Sequence, residues 1–184
     1  MTRSTAREIA IQLGFAAASS GEAPQELFDS FFERGHYDTL AAEDELYSEY
    51  PNAKQLEYIR TLIALTGEHR DEIDAHITRY AKGWKLERIS RTALAVLRCA
   101  ICEILYMDDI PNAAAINEAV ELDKGYDEPD VVSFVNGVLG RIARQTQLPA
   151  DAAFDAALTP RVDESADETD SDDPIVLDTT DMDD

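Results

Sequence analysis

WKLERISRTALAVLRCAICEILY, Trp84 to Tyr106, is the stretch whose reading decides the fold. Within it Leu94, Leu97, Ile101 and Ile104/Leu105 recur on one face of a helix, with Val96 and Ala100 beside them. That apolar arc is wider than the stripe of a surface helix, so the segment is predicted to run through the core. A central helix needs partners, and the flanking sequence supplies them. Downstream, Pro111 is a favoured first position for a helix running through AAAINEAVELDK to Gly125, which suits a left-handed cap. Asp130 then stands as an N-cap before VVSFVNGVLGRIARQ, with Val131, Phe134/Val135, Val138 and Ile142 on one side.

Upstream the same periodicity continues. Ile9, Leu13 and Ala16/Ala17 predict a first helix over residues 3–19, ended by Gly21. Pro24 opens a second, whose stripe Leu27, Phe28, Phe31 and Phe32 closes at Gly35. Residues 36–52 are acidic and irregular and read as a surface connection. Leu56, Ile59, Leu62/Ile63 and Thr66 carry a third helix and Ile73, Ile77 and Tyr80 a fourth, either separate or one helix bent near Gly67. No strand pattern competes, so the fold class is all-α, about seven helices.

Composition divides the chain. Of the net charge of −22, residues 145–184 carry −12, with 13 acids and a single arginine. Residues 1–148 are read as one helical domain and residues 149–184 as an acidic, mostly disordered tail, which buries too little to offset its ordering entropy. A short helix over 149–158 is expected before its most acidic part. The amino end lacks the uninterrupted apolar core of a signal peptide, and no run approaches the ~18 apolar residues of a membrane span. With only two cysteines, Cys99 and Cys102, the composition fits a reducing, cytoplasmic compartment.

Catalytic chemistry finds no footing. Cys99 and Cys102 spell C-x-x-C in mid-helix, where a pair of buried structural thiols is expected rather than a redox or zinc site. His36, His69 and His76 are scattered, and glycine-rich phosphate loops are missing. Neither enzyme, cofactor nor metal is expected.

The carboxyl half carries a more specific signal. Its L-R-x-A-x-x-E-I helix (from Leu97), its I-P-x-x-x-A-I-N-E-A-V-E-L start (Ile110 to Leu122) and its F-V-N-G-V-L helix (Phe134 to Leu139) stand in order. Upstream, Ala6-Arg7-Glu8 is followed by Gln12, and Trp84 to Ile89 stands just before the central run. In these motifs, across residues 3–144, the chain resembles the NusB family of transcription antitermination factors. The resemblance implies a two-part helical bundle that does no catalysis. It further implies that the chain binds boxA, a single-stranded RNA element of ribosomal RNA leaders, pairs with the small ribosomal protein NusE, and joins an RNA polymerase antitermination complex. Two other readings stay open: a helical module for protein contact or homodimerisation, and the RNA-binding part of a ribosomal RNA methyltransferase, for which no catalytic motif follows.

Single-stranded RNA is held by cations along its phosphates and by aromatic surfaces under its bases. Arg3 and Arg7, four apart on one helix face, are the phosphate candidates; the family's first helix usually carries more arginines, which implies a weaker, less salt-sensitive complex. Phe134 reads either as core or as a half-exposed base contact matching the family's phenylalanine. Asp130 reads as N-cap or RNA neighbour, Arg98 as RNA contact or partner of Glu103 or Glu118, and Lys124 as RNA contact or surface charge. Asn117 and Glu118 are expected to be structural, a buried amide and a carboxylate paired with Arg98. Gly137 and Gly140, three apart, are expected to let a neighbouring helix approach closely.

Overall fold

Local capping chemistry cuts the chain into helices. Thr2 Oγ1 accepts the Thr5 amide and starts α1, Arg3–Ser20, which Gly21 ends in a left-handed conformation (φ 74°). Pro24 opens α2, Pro24–Phe31. Asn52 and Gln55 form a reciprocal capping box at the head of α4, Ala53–Glu68, and Ser90 Oγ accepts the Ala93 amide at the head of α6, Arg91–Tyr106. Such caps contribute about 1 kcal/mol each by satisfying amides that have no intrahelical partner. The remaining helices are α3, Arg34–Glu43; α5, Arg70–Tyr80; α7, Asn112–Asp123; and α8, Pro129–Thr146. The computed structural model describes residues 1–81, 83, 84 and 89–146. Among them there is no strand, and no helix is long and apolar enough to cross a membrane.

The helix count exceeds the expected seven because residues 36–52 are not a plain connection. Glu33 turns its own carboxylate onto the amides of Gly35 and His36, so α3 begins where Gly35 read as a stop. Tyr37, on α3, is buried against Phe32 with ring centroids 5.6 Å apart, and Tyr50 meets it edge-on at 4.9 Å. A short 3-10 turn, Glu45–Tyr47, completes this aromatic cluster. The third and fourth helices of the sequence reading are two separate helices, broken at His69. Nearby, a side chain on Gly67 would meet Pro24 Cγ at 3.1 Å, so the bare backbone there lets the head of α2 close onto the end of α4.

As its apolar arc predicts, α6 is central: Ala93, Val96, Leu97, Ala100 and Ile101 are buried, and the helix packs against α1, α4, α5, α7 and α8. One half of the bundle sets α1 on α4 with α2 and α3 outside; the other wraps α5, α7 and α8 around α6. Cys99 and Cys102 are buried free thiols, and burial pushes the Cys102 thiol up to about 11.

Three finer expectations fail. Gly125 is not left-handed; instead the Asp123 carbonyl collects the amides of Tyr126 and Asp127 at the end of α7. Asp130 is not the cap of α8 but lies within its first turn, exposed, where the helix dipole favours negative charge. The glycine seam is absent as well. Val135, Val138, Leu139 and Ile142 face the core, which puts Gly137 on the solvent side, where an added Cβ would meet nothing within 4 Å. The acidic tail from residue 149, its short helix and the end of the 1–148 domain lie outside the described residues.

Candidate nucleic-acid interface

The expected RNA residues fall into separate neighbourhoods. At the head of α1, Arg3 and Arg7 do share a face, and their guanidinium carbons lie 5.7 and 5.9 Å from the centroid of the Tyr58 ring of α4. Their environments are opposite. The Arg3 side chain is 59% exposed and only loosely attended by Asp109 at 3.7 Å. Arg7 is 4% exposed, and its Nε and Nη2 donate to the fully buried Glu103 of α6 at 2.9–3.1 Å. Arg7 Nη1 reaches Glu118 of α7 at 3.4 Å, Tyr58 donates its hydroxyl to Glu103 at 2.6 Å, and Ser4 donates to Glu118.

This network joins α1, α4, α6 and α7. Burial works against the charge on Arg7, but the hydrogen bonds and charges of Glu103, with help from Glu118, prevail and raise its pKa. The Tyr58 hydroxyl is likewise held protonated by burial and by Glu103. A buried pair of this kind is costly to break, because either partner alone is an uncompensated charge.

The second neighbourhood is at the head of α8. Phe134 is half-buried and stacks on Trp84, ring centroids 4.6 Å apart at 23°, while the Trp84 residue stays 37% exposed. Asp130 stands one turn before Phe134, and Ser133, Asn136 and Gly137 are exposed beside it. Phe134 is thus neither wholly core nor wholly exposed: one side meets the fold, another reaches solvent. Trp84 went unnoticed as a functional candidate. As the sole tryptophan of the chain it carries a signal in the sequence, and among the described residues it is one of two exposed large apolar side chains, with Tyr126.

Two further candidates stand elsewhere. Arg98 forms a two-pronged ion pair with Asp74 of α5, both bonds at 2.7 Å, and does not touch Glu103 or Glu118. The carboxylates expected for Arg98 belong to Arg7, because the inward turn of α1 reaches them first. Lys124, beyond the last turn of α7, is exposed and paired with Glu121. Asn117, expected to be buried, is exposed. No substantial packing joins α1 to α8, so the arginine face and the aromatic face are not one continuous seam. Among the described residues no group of histidine, cysteine or carboxylate side chains is arranged to hold a metal.

Comparison with known proteins places this geometry. Residues 4–144 match the model of the NusB family. The transcription antitermination protein NusB of Natranaerobius thermophilus is 37% identical over 147 residues, covering 79% of this chain and 96% of that protein. Its counterpart in Acetivibrio thermocellus is 37% identical over 151 residues, covering 82% and 94%. Among solved structures, NusB of T. maritima superposes with a TM-score of 0.64 at 29% identity over 84% of this chain and 98% of that one. The structure of antitermination factors NusB and NusE in complex with double-stranded RNA matches with a TM-score of 0.62 at 25% identity, covering 77% and 96%.

Proposed function

Because the chain belongs to the NusB family of transcription antitermination proteins, which are not enzymes, we propose that it holds boxA-type single-stranded RNA of ribosomal RNA leaders jointly with NusE. In this reading it brings both into the RNA polymerase antitermination complex and so promotes ribosomal RNA transcription. The observation that carries the RNA part is the half-exposed Trp84–Phe134 stack, set beside a helix face bare of large side chains. Base stacking on aromatic rings contributes about 1–3 kcal/mol per base, and a surface bordered by Gly137 and Asn136 admits a base edge and its backbone closely. Support for NusE comes from the likeness to the NusB and NusE complex with RNA.

The six residues divide by what the fold leaves them to do. Arg3 and Lys124 offer exposed cations for phosphate, and Asp130 offers an acceptor for base amino groups one turn from Phe134. Arg7 serves as a positioning residue, fixing Tyr58 under Arg3 through Glu103. Arg98 holds α6 to α5 through Asp74 and is assigned no base contact. With so few free cations the RNA complex should be weakly salt-dependent, each neutralised phosphate adding about 0.7 to the logarithmic slope for single strands.

Fluorescence anisotropy with labelled boxA RNA, with and without purified NusE, tests the proposal. Tighter binding of boxA than of a scrambled RNA, strengthened by NusE, is expected. Equal binding of both RNAs under both conditions would sink it and leave the protein-contact or homodimer reading.

A further inference from the structure

Three arginines of this acidic chain line one cleft. Arg70 opens α5, Arg91 opens α6, and Arg98 lies two turns along α6; with Phe15, Leu94 and Thr66 they border a cavity of about 340 Å³. A second cavity of about 230 Å³ continues it past Thr66 toward Gly67 and Pro24. Beside Phe15, the α1 wall is made of Gly14, Ala18 and Ser19, side chains too small to fill the space.

Two of the three cations lack a paired anion, although Glu22 borders the second cavity. Arg98 is held by Asp74, but Arg70 and Arg91 make no ion pair within the described residues. His69 contributes no side-chain cap to α5, so its first-turn amides add positive potential on that side; Asp71 and Glu72 in the same turn oppose it in part.

At the floor is a weakly partnered polar group. Thr66 is 8% exposed, and its hydroxyl has only the Cys99 and Cys102 thiols beside it, with no oxygen or nitrogen partner. A buried helical threonine ordinarily returns that bond to the carbonyl four residues back. Here the Leu62 carbonyl is approached instead by the Cys102 thiol at 4.0 Å. A thiol is a weak substitute for an oxygen partner, and an acceptor entering the cleft would give this hydroxyl a stronger bond.

Guanidinium pairs match the oxygens of phosphate, and clefts of roughly 300–1,000 Å³ take small molecules whole. Phe15 and Leu94 provide an apolar side that a bare inorganic anion would not use. We propose that this cleft binds a small phosphorylated organic molecule, its phosphate between Arg70 and Arg91 above the Thr66 hydroxyl and its body against Phe15 and Leu94. The site is separate from the aromatic face and does not depend on the RNA reading.

Calorimetric titration of the full chain with inorganic phosphate and with adenosine monophosphate tests it. Saturable one-site binding of the nucleotide is expected, about tenfold tighter than inorganic phosphate, which is 1.4 kcal/mol from the body. Arg70→Gln and Arg91→Gln should each weaken the nucleotide at least about fivefold with an unchanged thermal transition, both side chains being exposed. Leu94→Ser should weaken the nucleotide and leave inorganic phosphate unaffected. Absence of saturable binding by either probe, equal affinity for both, or affinity unchanged in the Arg70→Gln/Arg91→Gln double variant would overturn the proposal.

Discussion

The head of α1 and the head of α8 both carry residues that resemble a family RNA surface, yet the fold treats them oppositely. At α1, Arg7 is drawn inside and bonded to Glu103, Glu118 and, through Glu103, to Tyr58. At α8, Phe134 is left half in solvent with Trp84 stacked on it and bare helix alongside. The lesson concerns type of residue. A charge inside a bundle must find a counter-charge, so a buried arginine becomes architecture; an aromatic ring can be half-buried without an unsatisfied group and remain available to a ligand.

Substitutions break that contrast in order of size. Glu103→Ala leaves Arg7 buried with only its longer contact to Glu118, and should lower the unfolding free energy by about 3–5 kcal/mol in urea titrations. A loss under 1 kcal/mol would mean that Arg7 swings out to solvent, and the two helix heads would then be alike.

A second buried carboxyl sharpens the point, because it has no cation. Asp123 is fully buried with no cation beside it, and burial, reinforced by the charge of Asp127 and the hydrogen bond that protonated Asp123 shares with it, pushes its pKa up to about 7. With a folded pKa above the unfolded value, the folded state binds the extra proton between about pH 4 and 7, so stability falls as pH rises through that window. Asp123→Asn should therefore stabilise the protein by about 1–3 kcal/mol at pH 8, with the gain gone near pH 4. Parallel pH–stability curves for the two proteins would reject this account.

On the α8 side the effects belong to binding. Trp84→Ala and Phe134→Ala should each raise the boxA dissociation constant about five- to tenfold, while Trp84→Ala costs about 1 kcal/mol or less of stability. Unchanged affinity in both would remove the aromatic face from the site. Gly137→Ala should raise stability by about 0.5–1 kcal/mol, since its methyl meets only solvent and the helix gains propensity. Weaker RNA binding in that stabler variant would show that close approach is used there. Smallest is Arg3→Gln, expected to lower the salt slope of RNA binding by about 0.7 while leaving the urea midpoint in place.

Much of this protein was determined by its sequence alone. The apolar arc of Trp84–Tyr106 identified the central helix, and helical periodicity with no strand pattern fixed the class, because side chains 3.6 residues apart share a face whatever packs on it. The ordered motifs around Leu97, Asn117 and Phe134 located the family. Even the exposure of Gly137 followed from the positions of Val135, Val138 and Ile142, although the spacing of the two glycines invited a seam.

Tertiary structure alone decided the partners. That Arg7 and not Arg98 takes Glu103 and Glu118, that Arg98 takes Asp74, and that Trp84 lies on Phe134 are pairings across 24 to 111 residues. The physical reason is that periodicity specifies which face of a helix is apolar but not its rotation and height against its neighbours. Ion pairs and ring stacks depend on those last few ångströms.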